Sequence, residues 1–295
     1  MTEAWGAYAR AAAAARITVR ELDDIAELQR AEQVLAGIWG VPENPPLGSE
    51  LMRAMRKAEG YVVGAFDCAD GADGADGADG ADGADGADGA DGADGADGAG
   101  GSGGEMVGVC VGFHSVPSAR AMHSHIAGVV PSMAGRHAGF ALKLHQRAWC
   151  LERGITLMEW TYDPLVARNA YFNLSKLGAR GAEYLPDFYG SMADGINDAE
   201  DASDRILVHW RLDSPEVAAA CAARPAEVAD VPGGSWVEIP GDIEALRISD
   251  PAQARAWRTK VREQLLRGLE SGRLAGFDRD KGYLLVGTTP TEGTE

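Results

Sequence analysis

The chain has 295 residues, 45% of them hydrophobic and 24% charged, enough for one large domain or two ordinary ones with a substantial core. Its formal charge is −18, but one repeat holds ten of the acids; without it 35 acids face 27 bases, a balance of −8 that offers no basic cluster to a nucleic acid. Four scattered cysteines with no Cys-x-x-Cys pair, no apolar run near 18 residues and a start (Met1-Thr2-Glu3-Ala4) without basic or apolar signal regions argue against a disulfide scaffold, a metal site, a membrane span and a secretory leader, and favour the cytoplasm.

Residues 1–16 are Ala-rich and read as a leader, frayed or helical. Ile17 to Leu22 alternates like a strand. Asp24 with Glu27 resembles a capping box, and Ile25, Leu28, Ala31, Leu35 and Trp39 share one helical face that Gly40 ends. Ser49 to Ala58 reads as a short helix. Tyr61–Asp67 and Glu105–Phe113 are β-branched strands on either side of ten Ala-Asp-Gly copies, Ala69 to Gly98, and a glycine-rich tail. No side chain in the repeat exceeds Asp, so nothing in it repays ordering, and it reads as a disordered loop overgrown within a hairpin. The excess of 22 Arg over 5 Lys fits GC-rich coding, in which such triplets expand.

Met122 to Val130 reads as a strand ended by Pro131. Gly135 to Arg153 is helical, with Phe140, Leu144, Ala148 and Leu151 in a stripe. Thr156–Tyr162 is a strand, Arg168–Leu177 a helix and Arg205–Leu212 a strand. The order β-α-α-β-β-β-α-β-α-β predicts an α/β fold with a mostly antiparallel front half. Residues 213–235, rich in Ala, Pro and Gly, read as a linker. The last unit, 236–295, reads as β-α-β-β: a short strand at Trp236, a helix opened by Asp250-Pro251 with Trp257, Val261, Leu265 and Leu269 on one side, and two closing strands.

The segment richest in chemistry is Val130-Pro131 followed by Arg136-His137-Ala138-Gly139-Phe140-Ala141, a small-residue turn that opens a helix directly after a strand. A first helical turn leaves N–H groups unpaired and carries positive potential, and glycine lets the backbone approach a ligand, so this turn suits a pyrophosphate.

Arg-x-x-Gly-x-Ala after strand-Val-Pro resembles the acyl-CoA loop of GNAT acyltransferases, and Ala170, Lys176, Leu177 and Gly178 resemble that superfamily's second signature. Trp160 to Leu165, Asn169 to Asn173, Phe188-Tyr189-Gly190, Ser203-Asp204-Arg205, Ile239-Pro240, Trp257-Arg258 and Gly276-Phe277 look like a branch of acyltransferases that includes amino-acid N-succinyltransferases linked with N-succinylamino acid racemase. The resemblance covers nearly the whole chain outside the leader and the repeat. It implies a GNAT fold over 17–212, a mixed and mostly antiparallel sheet flanked by helices, with a small C-terminal α/β extension.

The resemblance further implies acetyl-CoA or another acyl-CoA as co-substrate, no metal, and direct acyl transfer to the amine of a small molecule, such as an amino acid. The backbone of Val129 and Val130 would bind the pantetheine arm, and amides from Arg136 to Ala141, including His137, Ala138, Gly139 and Phe140, the diphosphate. His123 and His125 lie two apart on a strand and so face one way; His125 is one candidate base and Glu159 the other. Where many members of the superfamily carry a Tyr that protonates the leaving thiolate, this chain has Leu174, and Tyr171, one turn earlier, is the candidate substitute. Asn173 would bind the pantetheine amide or lie on the helix surface. Tyr162, Asp163, Asn169, Tyr189 and Arg205 are acceptor-pocket candidates, Arg205 because its fork suits a carboxylate. His114, His145 and His209 read as structural. A non-catalytic acyl-CoA sensor and a protein N-acetyltransferase are the alternatives. The expected partner is a small-molecule amine, with no nucleic acid or membrane, and a homodimer is left open.

Overall fold

A computed structural model of the chain describes residues 3–41, 43–68, 104–190, 201–222 and 228–287. The repeat, with its predicted disorder, lies outside these residues, as do parts of the stretch read as a linker. The fold is mixed α/β, and it divides into two compact units, one up to Met158 and one from Glu159 onwards.

In the first unit β1 (Ile17–Glu21), β2 (Tyr61–Asp67), β3 (Met106–His114) and β4 (Ala121–Val129) pair antiparallel in that order. The β2–β3 register, Val63 opposite Cys110 and Ala65 opposite Gly108, shows the two strands flanking the repeat to be hairpin partners. One sheet face is covered by α2 (Ile25–Ile38) and α3 (Ser49–Lys57): Leu28, Leu35, Ile38 and Met52 pack with Val62, Val109 and Val111. The side chain of Asp24 caps α2 by accepting from Ala26 N at 2.6 Å, whereas Glu27 turns away from the expected box to pair with Arg20. Trp39 packs against Gly128 of β4, where a Cβ would stand 2.6 Å from the indole; only glycine admits that approach.

α4 (Ala138–Glu152) packs on the sheet and also against α1 (Glu3–Ala15). The Ala-rich start is therefore a packed helix: Ala4, Ala7, Ala12 and Ala15 are buried, and Glu3 pairs with Arg147 at 3.0 Å. With α1 on its outer side, α4 buries every residue from Ala141 to Cys150, not only the predicted stripe.

The second unit holds β5 (Leu157–Tyr162), whose first residues belong to the first unit, α5 (Ala167–Ala170) continuing into a π-helical turn at Tyr171–Lys176, and the antiparallel pair β6 (Arg180–Leu185) and β7 (Arg205–Arg211), in sheet order β5-β7-β6. β6 escapes the sequence reading because Arg180-Gly181-Ala182-Glu183 is polar and glycine-bearing and the ladder is bulged there. Within the stretch read as a linker, Pro215–Ala222 forms α6. The C-terminal region is a three-stranded antiparallel sheet, β8 (Ser235–Val237), β10 (Gly282–Gly287) and β9 (Gly272–Asp278) in that order, packed on α8 (Pro251–Ser271). A short helix before it, α7 (Ile243–Ser249), adds to the expected β-α-β-β pattern; Asp242 caps it and Asp250 caps α8.

Candidate functional site

The turn singled out in the sequence runs from the end of β4 into α4. Val130 donates its N–H to Val107 O at 2.9 Å, so this residue is committed to β3. Val129, one residue back and opposite Gly108, therefore points its own backbone polar groups away from β3. Pro131–Met133 makes a 3₁₀ turn, and Gly135 (φ +77°) and His137 (φ +60°) are both left-handed. Phe140 and Ala141 both donate to His137 O, at 3.1 and 3.2 Å. Helix geometry gives the N–H groups of Ala138 and Gly139 no intrahelical acceptor, and they open the positive end of a 15-residue helix with no acidic residue in its first turn.

Arg136 is occupied differently from the expectation. Its N–H donates to Met133 O at 3.1 Å, and its guanidinium grips Asp67 through two hydrogen bonds of 2.8 and 2.9 Å. Of the donors expected from Arg136 to Ala141, those of Arg136, Phe140 and Ala141 are committed within the chain, and those of Ala138 and Gly139 open the helix.

On β4 a bulge inserts His125 between the pairs Val111–Ile126 and Gly112–Ser124. His123 and His125 do share a face: their rings stand 6.3 Å apart, and Phe113 stacks on His123 at 5.1 Å and leans on His125 at 5.8 Å. Partial burial lowers the pKa of both below the ordinary imidazole value, His123 further through its neighbours His125 and Lys143. Burial thus favours the neutral form of both rings. Ser124 faces the opposite side, where the buried Lys143 ammonium donates to its hydroxyl at 2.7 Å; burial pulls the Lys143 pKa down to about 8.

In the second unit, alternation along β5 separates the acceptor candidates. Met158, Trp160 and Tyr162 face the core, while Glu159 and Thr161 lie on a half-open face. Glu159 pairs with His209 of β7 at 3.0 Å, giving a partner to a histidine read as structural. Thr161 bonds the Tyr189 hydroxyl at 3.1 Å, and the Tyr189 ring lies 5.2 Å from the Arg205 guanidinium. Glu159, Thr161, Tyr189, Arg205 and His209 thus form one polar strip. Tyr162 is buried away from it, and Asn169 sits on α5.

Asp163 is not at an open pocket. Its carboxylate takes Arg258 at 2.7 and 2.9 Å, Arg247 at 2.5 Å and the Leu165 N–H at 2.9 Å. Burial alone would raise its pKa, but the two guanidiniums outweigh that and hold it far below the carboxylate range. Asn173 is buried too, accepting from the Trp160 indole N–H at 3.1 Å, which excludes a place on the helix surface. The π-helical turn, with Leu177 N–H reaching back five residues to Phe172 O at 2.9 Å, rotates it inward. The Tyr171 ring lies beneath the Arg279 guanidinium at 4.1 Å.

A cavity of about 540 Å³ at the far end of α4, lined by Arg56, His114, Arg120, Trp149 and Arg153 among others, had no sequence signal. Much of its charge is already engaged: Arg56 by Glu21 and Asp23, Arg153 by the Trp149 ring and Glu152. Among the described residues no group of three His, Cys, Asp or Glu could hold a metal ion, and no helix is long and apolar enough to cross a membrane.

No protein-family model matches the chain, and no curated protein matches it. Among solved structures it is similar to the ribosomal-protein-S18-alanine N-acetyltransferase of Escherichia coli, with 11% identity and a TM-score of 0.45 over 67% of this chain and 95% of that one. It is likewise similar to an IAA acetyltransferase from Bacillus cereus (13%, TM-score 0.40, 65% and 97%) and to a Bacillus subtilis acetyltransferase solved in complex with CoA (13%, TM-score 0.41, 66% and 97%).

Proposed function

We propose that the chain is an acyl-CoA-dependent N-acyltransferase of the GNAT type, acting on the amine of a small molecule. The observation that carries this reading is the turn from β4 into α4: two left-handed residues, Gly135 and His137, present the amides of Ala138 and Gly139 at a helix N-terminus free of acids. That is a seat for a diphosphate. Val129, with backbone groups turned away from β3, is suited to the pantetheine arm.

The reaction is direct transfer. The neutral amine nitrogen attacks the thioester carbonyl carbon, the carbon–sulfur bond breaks, and the thiolate leaves and takes up a proton. A base must first remove a proton from the ammonium acceptor. His125, whose burial favours the neutral imidazole, and Glu159, paired with His209, are the two groups suited to it. Tyr171 is the candidate donor to sulfur. Arg205 and Tyr189 in the polar strip suit a carboxylate-bearing acceptor such as an amino acid, acetylated or succinylated.

The test is calorimetric titration with CoA, followed by thiol release from acetyl-, propionyl- and succinyl-CoA in the presence of amine panels. Wild type is expected to bind CoA, and Gly139→Glu to abolish binding, because its carboxylate would stand at the proposed diphosphate seat. Equal affinity in the two proteins overturns the placement. Binding without thiol release from any of the three thioesters favours a non-catalytic sensor instead.

A further inference from the structure

Arg136 performs a task that the sequence pattern does not reveal. One fork of its guanidinium holds both oxygens of Asp67, Nη1 to Oδ2 at 2.9 Å and Nη2 to Oδ1 at 2.8 Å. Nη2 also donates to Ala15 O at 2.9 Å and Arg16 O at 3.3 Å, at the end of α1, and Nη1 touches Met133 Sδ at 3.0 Å. A single side chain therefore ties the anion-binding turn to the end of α1 and to the last residue of β2. Asp67 is itself fixed: its N–H donates to Glu105 O at 2.9 Å, and the next residue, Cys68, donates to Arg16 O at 2.9 Å.

The backbone bonds within the turn are short-range, Met133 N–H to Val130 O and Ala134 N–H to Pro131 O, both at 3.0 Å, and Arg136 N–H to Met133 O at 3.1 Å. Pro131, Ser132, Ala134 and Gly135 are exposed, and Met133 is the one fully buried side chain between Val130 and His137. The left-handed conformation of His137 costs a non-glycine residue about 1 kcal/mol and persists only where surrounding contacts over-determine it. Arg136 lies between the two left-handed residues, so its anchorage fixes the direction in which the Ala138 and Gly139 amides point.

We infer that Asp67, acting through Arg136, is a positioning residue for the diphosphate seat: the ion pair holds the turn in its binding shape, although neither side chain touches the ligand. This rests on the acyl-CoA reading of the turn. It also means that the base of the hairpin carrying the repeat is mechanically joined to the nucleotide site, two residues before the first Ala-Asp-Gly copy.

The experiment compares CoA, titrated by calorimetry, with pantetheine, which lacks the diphosphate, titrated by ligand-observed NMR. Asp67→Asn is expected to weaken CoA about tenfold, through loss of a charge-assisted bidentate pair, and to leave pantetheine unchanged. Asp67→Glu, which keeps the charge, recovers most of the affinity. If Asp67→Asn fails to fold, Arg136→Lys, which keeps the cation but loses the fork, carries the same comparison. CoA affinity equal to wild type overturns the inference, and so does an equal loss for both ligands, which would mark a merely structural pair. Failure of wild type to bind CoA at all sinks the acyl-CoA reading, and this inference with it.

Discussion

His145 shows how far one side chain's surroundings can depart from anything its neighbours in sequence suggest. Its Nδ1 meets the Tyr61 hydroxyl at 2.8 Å, and Trp5 and Tyr8 of α1 stand edge-on to its ring at 5.3 and 4.9 Å. Burial, with Arg153 adding to it, pushes its pKa down to about 4. The folded state thus keeps the ring neutral where an unfolded chain protonates it near 6.5. Between those values the unfolded state binds more protons, so stability falls as pH drops from about 6.5 to about 4, by roughly 3 kcal/mol in all. Urea denaturation across that range should show this slope in wild type and a shallower one in His145→Gln; identical slopes would contradict a neutral buried ring. The sequence allowed a structural role for this residue, but not its reason, because the aromatic cage comes from α1, more than 130 residues earlier.

At the scale of elements, α8 was legible in outline and misleading in detail. Its start at Asp250-Pro251 and its end at Gly272 are where the pattern put them, but its buried side is Ala254, Arg258, Val261 and Leu265, with Trp257 and Leu269 only half-buried. In the sequence its arginines, Arg255, Arg258, Arg262 and Arg267, lie mostly on other faces than the apolar one, with no partner indicated. Instead Arg258 joins Arg247 of α7 on Asp163 just beyond β5 and also reaches Asp201 at 3.0 Å, while Arg262 takes Asp204, which in turn accepts from the Tyr184 hydroxyl at 2.6 Å. Removing one partner from such a cluster leaves buried charges unpaired. Asp163→Asn should therefore lower the unfolding free energy by about 3 kcal/mol, read from the urea midpoint; a shift under a tenth of that would mean the cluster holds nothing together. The same cluster removes Asp163 from the acceptor candidates, a change no spacing rule could supply, since its partners lie 84 and 95 residues away.

For the molecule as a whole, the repeat dominates the charge while the described fold closes without it. The hairpin is sealed at its base by the Asp67–Glu105 backbone bond and the Arg136–Asp67 pair. Loop closure costs only about 0.6 kcal/mol per doubling of length, so replacing residues 69–104 by a short turn should leave the melting temperature and CoA affinity nearly unchanged, any shift in the former being upward. A fall of several degrees, or a weakened CoA isotherm, would assign the repeat a role in folding or binding. The sequence by itself determined most of the described elements, though not β6, α6 or α7, because caps, glycine stops and apolar periods are local; it also determined that β2 and β3 are partners and that a small-residue turn opens α4. Tertiary structure alone decided that α4 is buried on both sides, that Arg136 serves Asp67, that Glu159 meets His209, and that Asp163 is bound by two distant arginines. Those outcomes depend on which distant surface covers which face, and the cost of burying a charge is set only once that cover is in place.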